Sequence, residues 1–320
     1  MDNFPLKIKS NYFLAPMAGY TDKPFRKLCR EFGCGLTFSE LISVNAIYYK
    51  NKKTLKLIER DITDKPYCIQ LFGSDERLFL YAAQFVEPFC DCIDINAGCP
   101  APKVIRAKAG SYLLKEPKKL ISITQTLRKH LKKPLSIKMR IGYEKINPVE
   151  LYKELERSGI DFITIHGRLK SQYFKGEVDY NHIGQINSVL SIPVVANGGI
   201  DSFKKAQQVK RITGCEYLMI GQAAIGKPFI FEDLNKKVDT NRDLGFVKAV
   251  MKRHLQYMID FWGDTAIRQF RKFFHAYLKG YPNIKRFNNM INNCSTNNEA
   301  LNIIDRIEVN QLTPKEQACK

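Results

Sequence analysis

The chain carries one tryptophan, five histidines and only 32 acidic residues against 51 lysines and arginines. No uninterrupted apolar run reaches membrane-spanning length, and the opening MDNFPLKIKS lacks the apolar core of a secretory signal. These absences predict a cytoplasmic protein with no membrane partner. Paired CxxC motifs are missing too. Nine cysteines, an odd number in a chain of 320 residues, predict reduced thiols and neither a disulfide framework nor a metal site. Cys90 and Cys92 flank Asp91 in an apparent strand, and alternation predicts that both pack on one side.

What is present in excess is positive charge. A net +19 suits a polyanion such as RNA or DNA. A lysine-rich surface without such a partner produces the same surplus, so charge alone leaves the choice even.

Hydropathy then sets the fold class. Short apolar runs at 12–15, 36–39, 67–72, 92–96, 135–140, 161–166, 193–196 and 217–220 alternate with helix-periodic stretches such as 117–131, 148–158 and 202–212. Alternating strands and helices predict a parallel sheet. Eight such units predict an α/β fold of the (β/α)8 TIM-barrel type, which takes roughly 250 residues. A doubly wound open sheet is the competitor, but it needs fewer strands. From Asp233 the stretch DLNKKVDTNRDLG reads as a polar linker, followed by helical segments at 246–261 and 265–278. The domains expected are therefore a barrel over 1–235 and an all-helical unit over 245–320.

A barrel places its chemistry at the carboxyl ends of its strands. Pro16-Met17, Glu40, Gln70, Asn96, Lys138 with Arg140, His166, Asn197-Gly198-Gly199 and Gly221-Gln222 all fall there. The glycine loops after the seventh and eighth runs suit a phosphate-bearing cofactor, because backbone N–H groups can approach an anion closely. Lys138 sits among apolar residues, where a lysine is costly without a role. Gln70 offers both a donor and an acceptor to a heterocycle edge. His166 suits a cofactor or substrate contact, whereas His130, His182, His254 and His275 read as surface or packing residues. Cys99 lies just past the fourth run, on a loop held by Gly98 and Pro100 and followed by basic residues. Its thiol could act as thiolate nucleophile or as proton donor.

The helical segment adds a second theme. Between Thr265 and Asn298 lie six basic residues and no acidic ones, interleaved with Phe270, Phe273, Phe274, Tyr277, Tyr281 and Phe287. One face of such a bundle can form a core while the other meets phosphates.

At this level of detail the chain resembles the tRNA-dihydrouridine synthases. The resemblance rests on APMAGYTDKPFR (15–26), Ser39-Glu40, QLFG (70–73), INAGCPAPKVIRAKAGSYLL (95–114) and KMRIG (138–142). It continues through IHGRLKSQYFKGEVDY (165–180), ANGGI (196–200), IGQAAIGKPFIF (220–231) and RKFFHAYLKGYP (271–282). The combination of NxGCP with HGRxxxQ is specific.

The resemblance implies a barrel that binds FMN, a helical tRNA-binding domain, and reduction of a tRNA uridine to 5,6-dihydrouridine with electrons from NADPH. Cys99 corresponds to the general acid at C5, with hydride delivered to C6. Pro16, Met17, Gln70, Lys138, His166, Asn197, Gly199, Gly221 and Gln222 fall on FMN-contacting positions. Asn96, Arg140 and Arg168 fall on contacts to the extruded uracil or its phosphates. Lys103, Arg106, Arg271 and Lys272 are expected to face RNA. Gln222 stands where the family usually carries arginine, Gly199 where an acidic residue is common, and Phe273 where histidine is frequent. The rival readings are a flavin-dependent reductase of free pyrimidines and a non-catalytic RNA-binding barrel. No motif calls for an obligate protein partner.

Overall fold

The structure is a computed structural model that describes residues 4–308. Residues 309–320, counted in the expected helical unit, lie outside that range. Eight parallel strands are present: β1 (Tyr12–Leu14), β2 (Thr37–Ser43), β3 (Tyr67–Phe72), β4 (Cys92–Ala97), β5 (Leu135–Gly142), β6 (Phe162–Leu169), β7 (Val194–Asn197) and β8 (Tyr217–Ile220). They pair in the order β1-β8-β7-β6-β5-β4-β3-β2. The sheet closes between β1 and β2 through a parallel bridge from Phe13 to Leu36, with Leu14 N donating to Leu36 O at 2.9 Å. This is the TIM barrel that the alternation predicted.

Alternating side chains fill the barrel in layers. At the amino-terminal end, Phe13, Phe38, Cys68, Cys92, Phe162 and Tyr217 form an apolar cluster, into which Phe4 inserts against Phe13, Phe162 and Tyr217. Towards the carboxyl end the buried residues on the same strands turn polar: Gln70, Asp94, Asn96, Ser136, Thr164, His166 and Asn197. An apolar floor therefore supports a polar chamber.

Three expectations are corrected here. Cys90 and Cys92 do not share a side: Cys90 packs in the outer core and Cys92 inside the barrel. The strand starts at Cys92, while Cys90 follows a one-turn 3-10 helix (Glu87–Phe89), so strand alternation does not reach it. Glu40 does not follow the second strand but lies within it, beside a register shift between Phe38 and Leu41. The polar stretch from Asp233 is not all linker. Its start completes the helix Ile230–Lys236, where Arg242 pairs with Glu232 and with the buried Asp233, each at 2.7 Å.

The carboxyl-terminal segment is helical, with the helices Leu244–Trp262, Ala266–Tyr277, Lys285–Asn293 and Asn297–Asp305. Their apolar faces join the outer core of the barrel. Phe273 packs between Phe25 of the barrel, tilted against it, and the edge of His254, with ring centroids 5.1 and 4.5 Å away. Phe273 is thus a packing residue, and His254 is a fully buried core histidine whose Nδ1 lies 3.1 Å from Tyr277 Oη. Among the described residues, no helix is long and apolar enough to cross a membrane.

Candidate active site

The Cys99 loop is held at every peptide around the thiol. Asn96, near the end of β4, turns its Oδ1 back to accept from the N–H groups of Gly98 (3.1 Å) and Cys99 (2.9 Å). Gly98 O accepts from Arg140 Nε at 2.9 Å. Cys99 O accepts from Ser111 N (3.1 Å) and Ser111 Oγ (3.0 Å). Gly110 permits the last contact, since it sits at φ 63° and a Cβ there would lie 2.8 Å from Cys99 O. Such crowding, with left-handed backbone, explains why glycine stands at this position.

Cys99 is only partly buried, whereas the other described cysteines are buried. Burial pushes its thiol above the ordinary range, and the Ala101 N–H, Arg140 and Lys138 offset this only in part. The shift favours the protonated thiol at neutral pH.

β5 carries the cations. Lys138 Nζ donates to Asn197 Oδ1 at 2.8 Å, and Asn197 Nδ2 donates to Met219 O at 2.7 Å. Burial, then Arg140, lowers Lys138 to about 8. Arg140 is almost completely buried and donates to two carbonyls, Gly98 O and Leu169 O, with no ion pair to a carboxylate among the described residues. Its guanidinium lies 5.5 Å from the centre of the exposed Phe174 ring. A buried cation bonded only to neutral carbonyls is suited to an electron-rich ligand.

His166 on β6 is buried beside these charges. Burial first, then Lys138, Arg140 and Arg168, depress it to about 2, so the ring is neutral. Arg168 Nη1, which can only donate, lies 3.3 Å from His166 Nε2 and identifies that nitrogen as the acceptor. Arg168 itself is anchored to Gly176 O at 3.0 and 2.9 Å.

The loop after β7 supplies bare backbone. Gly198 and Gly199 both take positive φ, 119° and 65°. A Cβ on Gly198 would come within 2.7 Å of His166 Cδ2. Tyr180 Oη donates to Gly198 O at 2.7 Å and fixes the turn. Asn197 pairs in register with Met219 on β8, so the loop carrying Gly221 is its neighbour. Gly221 faces Ala15 and Met17, where an added Cβ would meet only ordinary contacts of 3.7 and 3.9 Å. Pro16 is buried beside them, Met17 is partly exposed, and Gln222 points out to solvent.

The structure thus brings Asn96, Cys99, Lys138, Arg140, His166, Arg168 and Asn197 to one mouth. Gln70 is fully buried, and both ends of its amide are bonded within the barrel wall. Lys103 and Arg106 lie exposed on the short helix Pro102–Arg106, directly after Cys99. Arg271 turns inward, with Nη2 donating to Cys294 O at 2.8 Å. Lys272 reaches the barrel rim instead, 5.1 Å from the Tyr20 ring and within the field of Asp22 and Glu40. Sequence reasoning missed Asp94, Ser111, Phe174 and Tyr180. For Asp94 a signal existed, since it shares the inward parity of Asn96 and Cys92.

The family model for dihydrouridine synthase (Dus) matches residues 13–313. The chain is 38% identical over 290 residues to a probable tRNA-dihydrouridine synthase of Helicobacter pylori, covering 89% of this chain and 88% of that one. It is 37% identical over 295 residues to tRNA-dihydrouridine synthase B of Vibrio parahaemolyticus, covering 89% and 92%. With the synthase B of Pseudomonas aeruginosa it shares 35% over 297 residues, covering 90% of each. A match that runs from β1 to the carboxyl-terminal helices takes in every strand of the barrel, and the chain belongs to the dihydrouridine synthase family.

Proposed function

We propose that this protein reduces a uridine in tRNA to 5,6-dihydrouridine, using FMN bound at the barrel mouth and NADPH as electron source. The observation that carries the proposal is the Cys99 loop, a partly exposed thiol pinned at its N–H and C=O beside the buried Arg140, which has no carboxylate partner among the described residues. A site meant for simple packing would not leave Arg140 buried with only carbonyl partners.

The residues present fit a flavin mononucleotide. Gly198 and Gly199 form a positive-φ turn that would hold the phosphate through backbone N–H groups, with Gly221 on the adjoining loop. Gln222 is exposed and brings no charge to it, unlike the arginine usual in the family. Lys138, fixed by Asn197, would stabilise negative charge on the pyrimidine edge of the ring. Pro16 and Met17 would line the same pocket, while Gln70 supports it from within the wall. When bound and reduced, a flavin held by these residues would supply hydride chemistry toward C6 of the uracil.

The chain's own residues do the rest. Cys99 holds its proton for C5, and the raised thiol keeps that proton in place at neutral pH. Arg140 and Arg168 would polarise the uracil carbonyls. His166, kept neutral by burial and then by its cationic neighbours, accepts from Arg168 and does not compete as an acid. Asn96 keeps the loop in register. A uridine must leave its stack to reach this mouth, and unstacking costs a few kcal/mol that contacts to the flanking RNA have to offset. Lys103 and Arg106 beside Cys99, with the carboxyl-terminal helices between Leu244 and Asp305, are the surface that would supply them.

Purified protein loaded with FMN, given NADPH and unmodified tRNA, should convert one uridine, seen by mass spectrometry as a gain of two hydrogens in one fragment. Reduction of free uracil with tRNA left unchanged would overturn the reading in favour of a free-pyrimidine reductase. Tight tRNA binding with no flavin uptake would overturn it in favour of a non-catalytic binder.

A further inference from the structure

Two amide side chains stand between a buried carboxylate and the Cys99 loop, and their orientation is determined from both ends. The N–H groups of Gly98 and Cys99 can only donate, so the Asn96 atom they meet is Oδ1. Asn96 Nδ2 therefore points away and donates to Gln70 Oε1 at 2.7 Å. Gln70 Nε2 in turn donates to Asp94 Oδ2 at 2.6 Å. The other Asp94 oxygen accepts from Ser136 Oγ at 2.6 Å. Asp94 and Gln70 are fully buried, and they face each other in register across β3 and β4.

We propose that Asp94 is a positioning residue for Cys99: by accepting from Gln70 it sets the direction of the Asp94–Gln70–Asn96 relay and so holds the cysteine backbone. The role rests on the reading of Cys99 as the proton donor. The relay cannot run backwards in this chain. Reversed, Asn96 would present its NH2 group to two N–H donors, and Gln70 would set its carbonyl oxygen against the Asp94 carboxylate. Water has no access to repair either mismatch at Gln70 or Asp94, so each would remain as an unmet buried group. Asp94 reaches Cys99 through two amides, and its charge also acts on Lys138.

The test reads Cys99 directly and needs neither flavin nor tRNA. Asp94→Leu keeps the side-chain shape but removes the acceptor. Amide hydrogen exchange in the 95–105 segment and iodoacetamide labelling of Cys99, located by peptide mass spectrometry, should both rise roughly tenfold. With tRNA as substrate, kcat should fall roughly ten- to hundredfold while KM for tRNA stays near wild type. Wild-type exchange and labelling in Asp94→Leu would overturn the proposal even if the protein were a synthase. Loss of activity in wild type itself would leave the labelling result intact and count only against the proposed function.

A swap keeps the question answerable if Asp94→Leu does not fold. In Asn96→Asp, two acceptors face each other at Gln70 and the loop should loosen. In the double variant Asn96→Asp/Asp94→Asn the carboxylate has moved to the other end of the relay. The new amide at position 94 donates to Gln70 Oε1, and Gln70 Nε2 donates to the new carboxylate at position 96. That carboxylate still accepts from the Cys99 N–H. Exchange and labelling should return most of the way from the single variant towards wild type. A double variant no better than Asn96→Asp would overturn the relay, because neither packing at position 94 nor its charge requires the recovery.

Discussion

Lys138 Nζ donates to Asn197 Oδ1 at 2.8 Å, a bond that reaches from β5 past β6 to β7. It ties the cation of the mouth to the residue that precedes the Gly198–Gly199 turn. Lys138→Met should therefore lower flavin retention by roughly tenfold, from the loss of one charge-assisted contact. Flavin absorbance remaining after gel filtration measures it, and unchanged retention would remove Lys138 from the cofactor site.

Cys99→Ala should keep flavin and tRNA binding while dihydrouridine formation drops roughly 10²- to 10⁴-fold, the range for loss of a general acid. Because burial raises the thiol, Cys99 should not limit wild-type activity through neutral pH; a decline should begin as Lys138, lowered to about 8, loses its charge and deepen as alkaline pH deprotonates Cys99. A decline beginning in the acid range would point to a different donor. Loss of flavin from Cys99→Ala would make the cysteine structural.

Gly110→Ala should act like a displaced Cys99. Its Cβ would lie 2.8 Å from Cys99 O and 3.1 Å from Cys99 Cβ, at a φ of 63°. A stability loss of about 1–3 kcal/mol is expected from strain and overpacking, with a larger fall in kcat than in tRNA affinity. Equal losses in both would show that the loop serves binding more than chemistry.

The buried carboxyl of Asp94 has a stability signature. Burial raises it to about 6, only partly countered by the Ser136 and Gln70 hydrogen bonds. The folded protein therefore binds this proton more tightly than the unfolded chain, whose Asp titrates near about 3.9. Its contribution to stability is largest below about 4 and is lost as pH rises through about 6. Asp94→Asn should flatten that part of the Tm-versus-pH curve relative to wild type. Parallel curves across the interval would show an unperturbed carboxylate.

A second buried charge holds the barrel's outer wall. Asp64 accepts from Arg26 Nε at 2.8 Å and from Arg30 Nε at 3.2 Å, with Asp64 and Arg26 wholly buried. Asp64→Ala should cost about 3–5 kcal/mol in chemical denaturation, because it strands a buried guanidinium. A cost below about 1 kcal/mol, the scale of a surface pair, would contradict the burial of this network.

RNA contacts should appear in salt dependence. Lys103→Glu and Arg106→Glu are expected to weaken tRNA binding and each to reduce the salt slope by about one. Arg271→Ala should instead destabilise the helices, since its guanidinium bonds Cys294 O inside them. A full loss of tRNA affinity in a stable Arg271→Ala protein would reverse that assignment.

Arg271 and Lys272 show where sequence reading stops. Both lie in one basic, aromatic stretch, and the pattern assigns both to RNA. The helix turns one into the packing at Cys294 and the other to the barrel rim near Tyr20. Successive residues on a helix point about 100° apart, and only the packed partner decides which of them is outside. Asp94 escapes a sequence reading for a related reason. Its parity is readable, but its meaning depends on the cross-strand register that sets it opposite Gln70. A slip of one residue would turn it out of the barrel.

The sequence by itself determined the eight-strand alternation, the glycine turns after β7 and β8, and the loop that carries Cys99, because strand period and backbone freedom are local properties. Tertiary structure decided which rim groups touch. It alone set Lys138 against Asn197, stripped Arg140 of any carboxylate partner among the described residues and joined Asp94 to Cys99 through two amides. Those contacts arise from register and closure between segments far apart in the chain, and no local pattern encodes them.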